Sequence, residues 1–161
     1  MAATPISASA RYIPEGVRHF NFLPAIATLS SPTRSEINAG TDLTPQVSAF
    51  GNWGIVSTPV STPDLASTFT PSIPGLTTVD GSTIDMYADS ASADVRTLLP
   101  RNTVGFIIVL PEGDVAGRKM DVFPVKVMSC EKVASIGGNP ATIALNFSIT
   151  ANPAENVVVP A

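Results

Sequence analysis

The feature that most constrains the fold is a pair of apolar segments in the last third of the chain. Residues 141–150 (ATIALNFSIT) alternate, with Ile143, Leu145 and Phe147 on one side and small or polar residues on the other. This period of two predicts a β-strand with one buried face. Residues 104–110 (VGFIIVL) are apolar on both sides, so we expect a strand whose two faces are both covered.

The amino-acid composition predicts one domain with a large interface. The chain has 161 residues, of which 44% are hydrophobic and only 14% charged, where about a quarter is usual. A small domain with so few charges has difficulty covering its surface, and protein interfaces are depleted of charge. We therefore expect an oligomer. The net charge of −4 disfavours a nucleic-acid-binding protein, which needs cations to neutralise phosphates.

The sequence contains no motif for catalysis, cofactor binding or membrane insertion, so we expect neither an enzyme nor a cofactor. Phosphate-binding glycine loops, GxSxG and HExxH are absent. His19, the only histidine, has no acidic residue close in sequence, and acid–base catalysis needs a positioned partner. Cys130 is the only cysteine and is expected to be a small buried hydrophobe. No segment approaches the roughly 20 apolar residues of a membrane span, and the N-terminus lacks a secretory signal pattern.

The densest acidic run consists of Asp80, Asp85, Asp89 and Asp94. Hard cations take oxygen ligands, so a metal site, or a hydrolase that uses this cluster, is one interpretation. The spacing matches no calcium-loop motif, however, and helix caps and solvated turns explain the residues more simply. Among the functional interpretations, a wall of negative potential is favoured over a calcium site.

The order of elements predicts a mostly β or α+β domain. Residues 1–16 lack periodicity and are expected to form a flexible or docking arm. Thr33 and Glu36 have capping-box spacing for a short helical turn, and Trp53 is expected to anchor its segment against the sheet. A helix capped by Ser90 is expected over 90–99. Further strands are expected at 16–23, 84–88 and 121–129.

Two segments carry additional expectations. Pro124 lies inside the strand predicted at 121–129 and, because it has no N–H, indicates an edge strand or a bulge. Residues 57–83 are rich in Ser, Thr and Pro, and so long a stretch without regular structure is unusual unless it is functional or covered by a neighbour. We expect an extended loop or hairpin arm that reaches another subunit, with room for an edge strand around 65–69.

Several segments in a fixed order resemble the tail tube (major tail) proteins of tailed bacteriophages, in particular phages of actinobacteria. No single motif is diagnostic, and the resemblance lies in their collinearity from residue 17 to the C-terminus. The segments are PTRSEINAGTDL (32–43), STPDLASTF (61–69), IPGL (73–76), STIDMYAD (82–89), DVRTLLPRNTVGFIIVLPEG (94–113), DVFPVKVMSCEKV (121–133) and ALNFSITANPAENV (144–157).

The resemblance implies a β-sandwich or barrel flanked by one helix. The chain would then comprise an N-terminal arm (1–16) and one tail tube domain (17–161) that includes the arm at 57–83. It also implies hexameric rings that stack into a hollow, non-contractile tail tube, assembled in the host bacterial cytoplasm and carried in the virion. The implied partners are further copies of the chain, the tape measure protein in the lumen, and the tail terminator and tail tip proteins.

An acidic lumen would let DNA pass without binding, since like charge prevents phosphate contacts. Asp85 and Asp121 are the candidates for lumen-facing acids, because they lie on the polar side or at the turns of predicted strands. The alternative function is another phage structural protein, either a capsid decoration protein or a head–tail or baseplate adaptor.

Overall fold

The computed structural model describes residues 3, 5–79, 81–91, 94–134 and 137–161. These residues form ten strands, two short α-helices and a 3-10 turn at Thr44–Gln46. The helices are α1 (Arg34–Asn38) and α2 (Val95–Leu98). The strands are β1 (His19–Leu23), β2 (Thr41–Asp42), β3 (Val47–Gly51), β4 (Val56–Ser61), β5 (Ser72–Thr78), β6 (Thr83–Tyr87), β7 (Val104–Leu110), β8 (Lys119–Val133), β9 (Thr142–Ile149) and β10 (Ala154–Val158).

Eight of the strands form one antiparallel sheet that curls around a core. The order is β2-β1-β7-β8-β9-β6-β3, with β10 paired to the first part of β8. Strands from the two ends of this order meet across the core, because the rings of Phe20 on β1 and Phe50 on β3 are 5.1 Å apart. The predicted mostly β, sandwich-like fold class is confirmed. The expectation of one flanking helix is wrong in number, because α1 and α2 are separate short helices. Neither has the length that a bilayer-crossing helix needs.

The sheet carries a separate apolar core on each of its sides. On β7, Ile107 and Val109 belong to the core enclosed by the curled sheet, here called the inner core, and Ile108 and Leu110 belong to the outer core on the opposite side. All four side chains are buried. The prediction of a strand covered on both faces is therefore confirmed within a single chain. The cover on the outer side comes from α1, β10 and residue Val159.

Trp53 closes one end of the inner core. Its ring packs edge-on against Phe123 at 5.2 Å and lies 5.6 Å from Phe147 and 6.3 Å from Phe20. Its indole N–H donates a hydrogen bond to the carbonyl oxygen of Thr83 at 3.1 Å. The polar edge of the ring is thus satisfied while its body remains apolar. This confirms Trp53 as the anchor of its segment.

Helix α1 begins at the predicted cap. Thr33 accepts from the backbone N–H of Glu36, and the Glu36 carboxylate accepts from the backbone N–H of Thr33 at 2.7 Å. This capping box satisfies two amide groups that the helix itself leaves unpaired. Ile37 then points into the outer core and is 3% exposed, so this single turn fixes the cover over the outer side of β1 and β7.

Helix α2 is shorter than predicted and has a different cap. It covers only Val95–Leu98, and Asp94 caps it by accepting from the backbone N–H of Arg96 at 3.1 Å. Ser90 is exposed and lies before the helix, so its assignment as the cap is wrong; residues 92 and 93 lie outside the described residues. The carboxylate of Asp94 is nearly buried and also lies 3.3 Å from the Lys132 ammonium. Asp94 therefore caps the helix, and its ion pair with Lys132 stabilises it in that position.

Pro124 lies in a central strand and not at an edge, and the register of β8 with β9 shifts only beyond it, between Val127 and Ser129. It pairs with Phe106 on β7, and on its other side its carbonyl accepts from the backbone N–H of Thr150 at 2.9 Å. Strand β9 ends at residue 149 and β10 starts at 154. A residue's N and O point to the same side of an antiparallel strand. The missing N–H of Pro124 therefore faces the gap between β9 and β10, where no ladder needs it.

Two segments extend from this body. Residues 5–16 contain no helix or strand and are exposed, with Tyr12 donating a hydrogen bond to the carbonyl of Pro111 at 3.2 Å. Strands β4 and β5 form a separate two-stranded sheet that pairs with no other strand of the described ranges. Residues 65–69 lie in the loop at the tip of this hairpin, so the edge strand expected there is wrong. Asp80 lies outside the described residues.

Candidate assembly surfaces

The β4–β5 hairpin exposes apolar side chains on a sheet of only two strands. We call residues 56–78 the hairpin arm. Every residue of β4 is exposed, and in β5 all but Gly75 are exposed. Leu65 and Leu76 are 108% and 90% exposed, and Phe69 is 75% exposed. An isolated hairpin is marginally stable in water, and a contiguous exposed apolar surface marks an interaction site. The arm therefore has the properties of a contact element.

A second surface is the side of β6, β9 and the latter half of β8 that points away from the inner core. We call it the open face. Many of its residues are small or polar: Asn146 donates a hydrogen bond to the Ser129 hydroxyl at 2.7 Å, and Ala144 pairs with Glu131 on one side and Asp85 on the other. The same face also carries Lys126 and, at one end, the exposed Tyr87 and Val133. No buried apolar cluster of the described chain covers this half of the sheet. The open face is thus a largely polar surface of paired strands, with one register shift between Val127 and Ser129.

The two candidate lumen acids do not lie on the same face. Asp85 alternates with the buried Ile84 and Met86, which places it on the open face. Asp121 pairs with Val109 and so lies on the side of the inner core. Its carboxylate accepts from the backbone N–H of Asn156 at 2.9 Å. Asn156 has a φ of 57° at the irregular pairing of β10, and the contact therefore supports the docking of that strand.

A groove beside β3 contains a cation that forms no ion pair with the described residues. The groove lies between the end of the N-terminal segment, β1 and β3, and Arg18, Phe20, Val47 and Phe50 are among its walls. We call it the Arg18 groove. The guanidinium carbon of Arg18 lies 4.9 Å from the centre of the Phe50 ring. Its Nε is buried and has no hydrogen-bond partner in the described structure. Sequence reasoning missed this feature, because nothing around residue 18 signals which strands will enclose it.

His19 does acquire an acidic neighbour through the fold. Its Nδ1 lies 3.6 Å from a carboxylate oxygen of Asp42, since β1 and β2 pair and bring the two residues together. Both side chains are exposed, and neither atom contacts a serine, threonine or cysteine among the described hydrogen bonds. Cys130 is half-buried against the inner core. The pair has the geometry of an exposed ion pair rather than of a nucleophile with its base.

The acidic run is dispersed by the fold. Asp85 lies on the open face, Asp94 caps α2, and the Asp89 carboxylate accepts from the backbone N–H of Ala91 at 2.7 Å. Across the parts of the chain that the structure describes, no group of three or more potential ligand residues is placed to hold a metal ion. For Asp89 a backbone amide is the partner, and Asp94 pairs with a backbone amide and with Lys132.

Two groups with displaced pKa values both belong to α1. The pKa of Arg34 is raised because its guanidinium makes a two-pronged contact with Asp114, at 2.5 and 3.0 Å. The pKa of Glu36 is lowered because the backbone N–H groups of Thr33 and Ala27 donate to its carboxylate. Both shifts follow from contacts that hold α1 on the sheet, so neither indicates a reactive site.

Comparisons with known proteins agree with a structural role. The profile of the family described as phage tail tube protein matches residues 7–161. Among solved structures, the chain is similar to a chain in the cryo-EM structure of the anti-feeding prophage (AFP) baseplate, 6-fold symmetrised, with a TM-score of 0.50 and 10% identity over 94% of this chain and 95% of that one. No curated protein sequence matches significantly. Because the family profile covers nearly the entire chain, the protein belongs to the phage tail tube protein family.

Proposed function

We propose that this phage tail protein assembles into hexameric rings that stack into the hollow tube of a non-contractile tail, in a phage of actinobacteria. The observation that carries the proposal is the hairpin arm. Its exposed Leu65, Phe69 and Leu76 are costly for a free chain, and burial against a neighbouring copy removes that cost. Contacts that close by rotation give a ring, and axial contacts between rings give a tube.

The open face is the proposed wall of the lumen. It is largely polar and uncovered in the single chain, and it carries the acids Asp85 and Glu131 with one cation, Lys126. A surface with few cations forms few counterion-releasing contacts with phosphates, so DNA would slide past it without binding. The same wall would surround the tape measure protein before DNA passes. Asp121 is the weaker candidate for a lumen acid, because its carboxylate already supports β10.

The remaining elements of the proposal follow from the tube. The ends of the tube would contact the tail terminator and tail tip proteins, assembly would take place in the host cytoplasm, and the finished protein would lie in the virion. The chain would have no catalytic activity. In support, the His19–Asp42 pair lacks a nucleophile among the described contacts, and Asp94 serves as the cap of α2.

Electron microscopy of the purified protein in negative stain tests the proposal. We expect stacked six-fold rings or tubes in which the hairpin arms lie at the junctions between rings. Discrete six-fold rings that never stack would favour the baseplate or head–tail adaptor. Monomers or trimers under all concentrations and salt conditions would contradict the tube and favour a capsid decoration protein.

A further inference from the structure

We propose that the tip of the hairpin arm of a second copy docks in the Arg18 groove, with Asp64 of the tip paired to Arg18. This inference rests on the proposed self-assembly and identifies the two surfaces that meet. The tip is the loop between β4 and β5, which contains Asp64, Leu65 and Phe69. The contact would pair Arg18 with Asp64 and bury the apolar side chains beside each of them.

The first step concerns Arg18. Its Nε is buried without a partner, and no carboxylate of the described chain forms an ion pair with its guanidinium. A buried donor that lacks an acceptor leaves its loss of hydration uncompensated, and the cost is greater when the group is charged. The Phe50 ring holds the guanidinium in place but offers no acceptor atom. The groove is therefore preorganised to bind an anionic group that is flanked by an apolar side chain.

The second step concerns the arm. Asp64 is the only charged residue between Val56 and Val79. One oxygen of its carboxylate accepts from the backbone N–H of Ala66 at 2.8 Å, which fixes the side chain in the turn and leaves the other oxygen available. The adjacent Leu65 is fully exposed, and Phe69 lies on the same loop. The tip thus presents one oriented carboxylate beside two large apolar side chains.

The third step compares the grooves of the described structure. The groove at the base of the arm, around Phe147 and Ile149, has no charged wall residue. The groove beside α2 and β6 is lined by Asp42, Asp89 and Asp94, which would repel Asp64. The groove between α2 and β8 has three cations but also two acids, Asp94 and Glu131, which would repel Asp64.

The Arg18 groove combines an unpaired cation with apolar walls. Glu15 also lines this groove, but among the described contacts it forms no ion pair with Arg18. No printed ion pair or ring contact joins the described residues of the arm to Arg18 within one chain, so the proposed occupant is the tip of another copy. A six-residue strand such as β4 extends about 20 Å from its base, which is a suitable reach for a neighbouring subunit.

Charge reversal and charge exchange test the pairing. Arg18→Glu and Asp64→Arg should each raise the concentration needed for assembly about tenfold or more, because each places like charges in contact. The double variant should restore assembly to within about threefold of the original. Arg101→Glu is the matched control: Arg101 is exposed, forms no ion pair in the described chain and lies in a different groove. Sedimentation gives the assembled fraction, and thermal unfolding verifies that each variant folds.

A crosslink tests the contact without altering Arg18. In a Cys130→Ser background, one preparation carries Ser48→Cys in the groove wall and another carries Leu65→Cys at the tip. We expect disulfide-linked dimers when the two preparations are assembled together. Each preparation assembled alone should give a lower yield of such dimers. If tubes form normally without this crosslink and the reversal variants assemble like the original chain, the docking of the tip in the Arg18 groove is contradicted. The proposed tube is unaffected by that result. If the original chain forms no rings or tubes, the proposed function fails and the pairing fails with it.

Discussion

At the scale of single residues, close packing between β7 and β1 depends on a glycine. A Cβ atom at Gly105 would lie 2.5 Å from the Phe22 ring and 2.8 Å from the carbonyl oxygen of Leu23. The backbone oxygen cannot move without displacing β1. Gly105 is therefore required by its neighbours and not by its own backbone angles.

We expect Gly105→Ala to lower the free energy of unfolding by about 1–3 kcal/mol, the usual cost of inserting a methyl group into a filled core. Gly54→Ala is the matched control, because nothing lies within 4 Å of a Cβ there, and it should change stability by less than about 0.5 kcal/mol. Urea unfolding of the two variants makes the comparison. Equal effects would show that β1 and β7 separate more easily than the contact distances indicate.

The capping carboxylate of α1 predicts a dependence on pH. The pKa of Glu36 in the folded chain lies below its ordinary value of 4.5, so folding favours the ionised form. Its stabilising contribution is complete above pH 4.5 and is lost as the pH falls through the folded pKa. The stability difference between the original chain and Glu36→Gln should be largest near neutral pH and shrink in acid. Urea titrations at a series of pH values measure this difference, and a constant difference would contradict the capping role.

At the scale of elements, strands with strong patterns were predictable and features created by distant segments were not. Strand β7 was predicted at its observed bounds, because its apolar run is continuous. The tolerance of Pro124 in a central strand depends on a gap that β9 and β10 create about thirty residues later. The choice of Asp94 over Ser90 depends on Lys132. Local patterns contain no information about such partners.

The same limit explains the assembly surfaces. The composition of 57–83 indicated an arm, but the pairing of Val60 with Ile73 and the exposed tip are properties of the folded hairpin. Asp85 and Asp121 looked equivalent because both adjoin apolar strand residues. Only the register of β7 with β8 separates their faces. Arg18 gave no signal at all, since its groove is assembled from three separate segments.

The hairpin arm predicts a difference in hydrogen exchange between free and assembled chains. Its amides should exchange rapidly in the monomer, where the two strands have no support, and slowly in the assembly. Residues 5–16 should behave in the same way. The amides of β7, which are covered within one chain, provide the internal control and should be protected in both states. Equal protection of the arm in both states would contradict its role in contacts between copies.

At the scale of the whole molecule, the proposed lumen predicts an effect of charge on DNA passage. Asp85→Lys would place a cation on the open face and should slow DNA release from virions, most strongly at low salt, because phosphate contacts are screened by ions. Glu112→Lys makes the same charge change at an exposed position in the turn after β7, outside the strands of that face, and serves as the control. Release triggered over a range of salt concentrations is the measurement. If the two variants release DNA equally fast, Asp85 does not face the DNA path.

The position of Trp53 gives the molecule an intrinsic optical reporter. It is the only tryptophan in the chain, and it touches rings from β1, β8 and β9 while its N–H is bonded at the root of β6. Its emission therefore depends on whether both ends of the sheet are closed around it. Tryptophan fluorescence therefore reports closure of the fold and any movement at the base of the arm. It needs no label and can be measured both on the free chain and on the assembled protein.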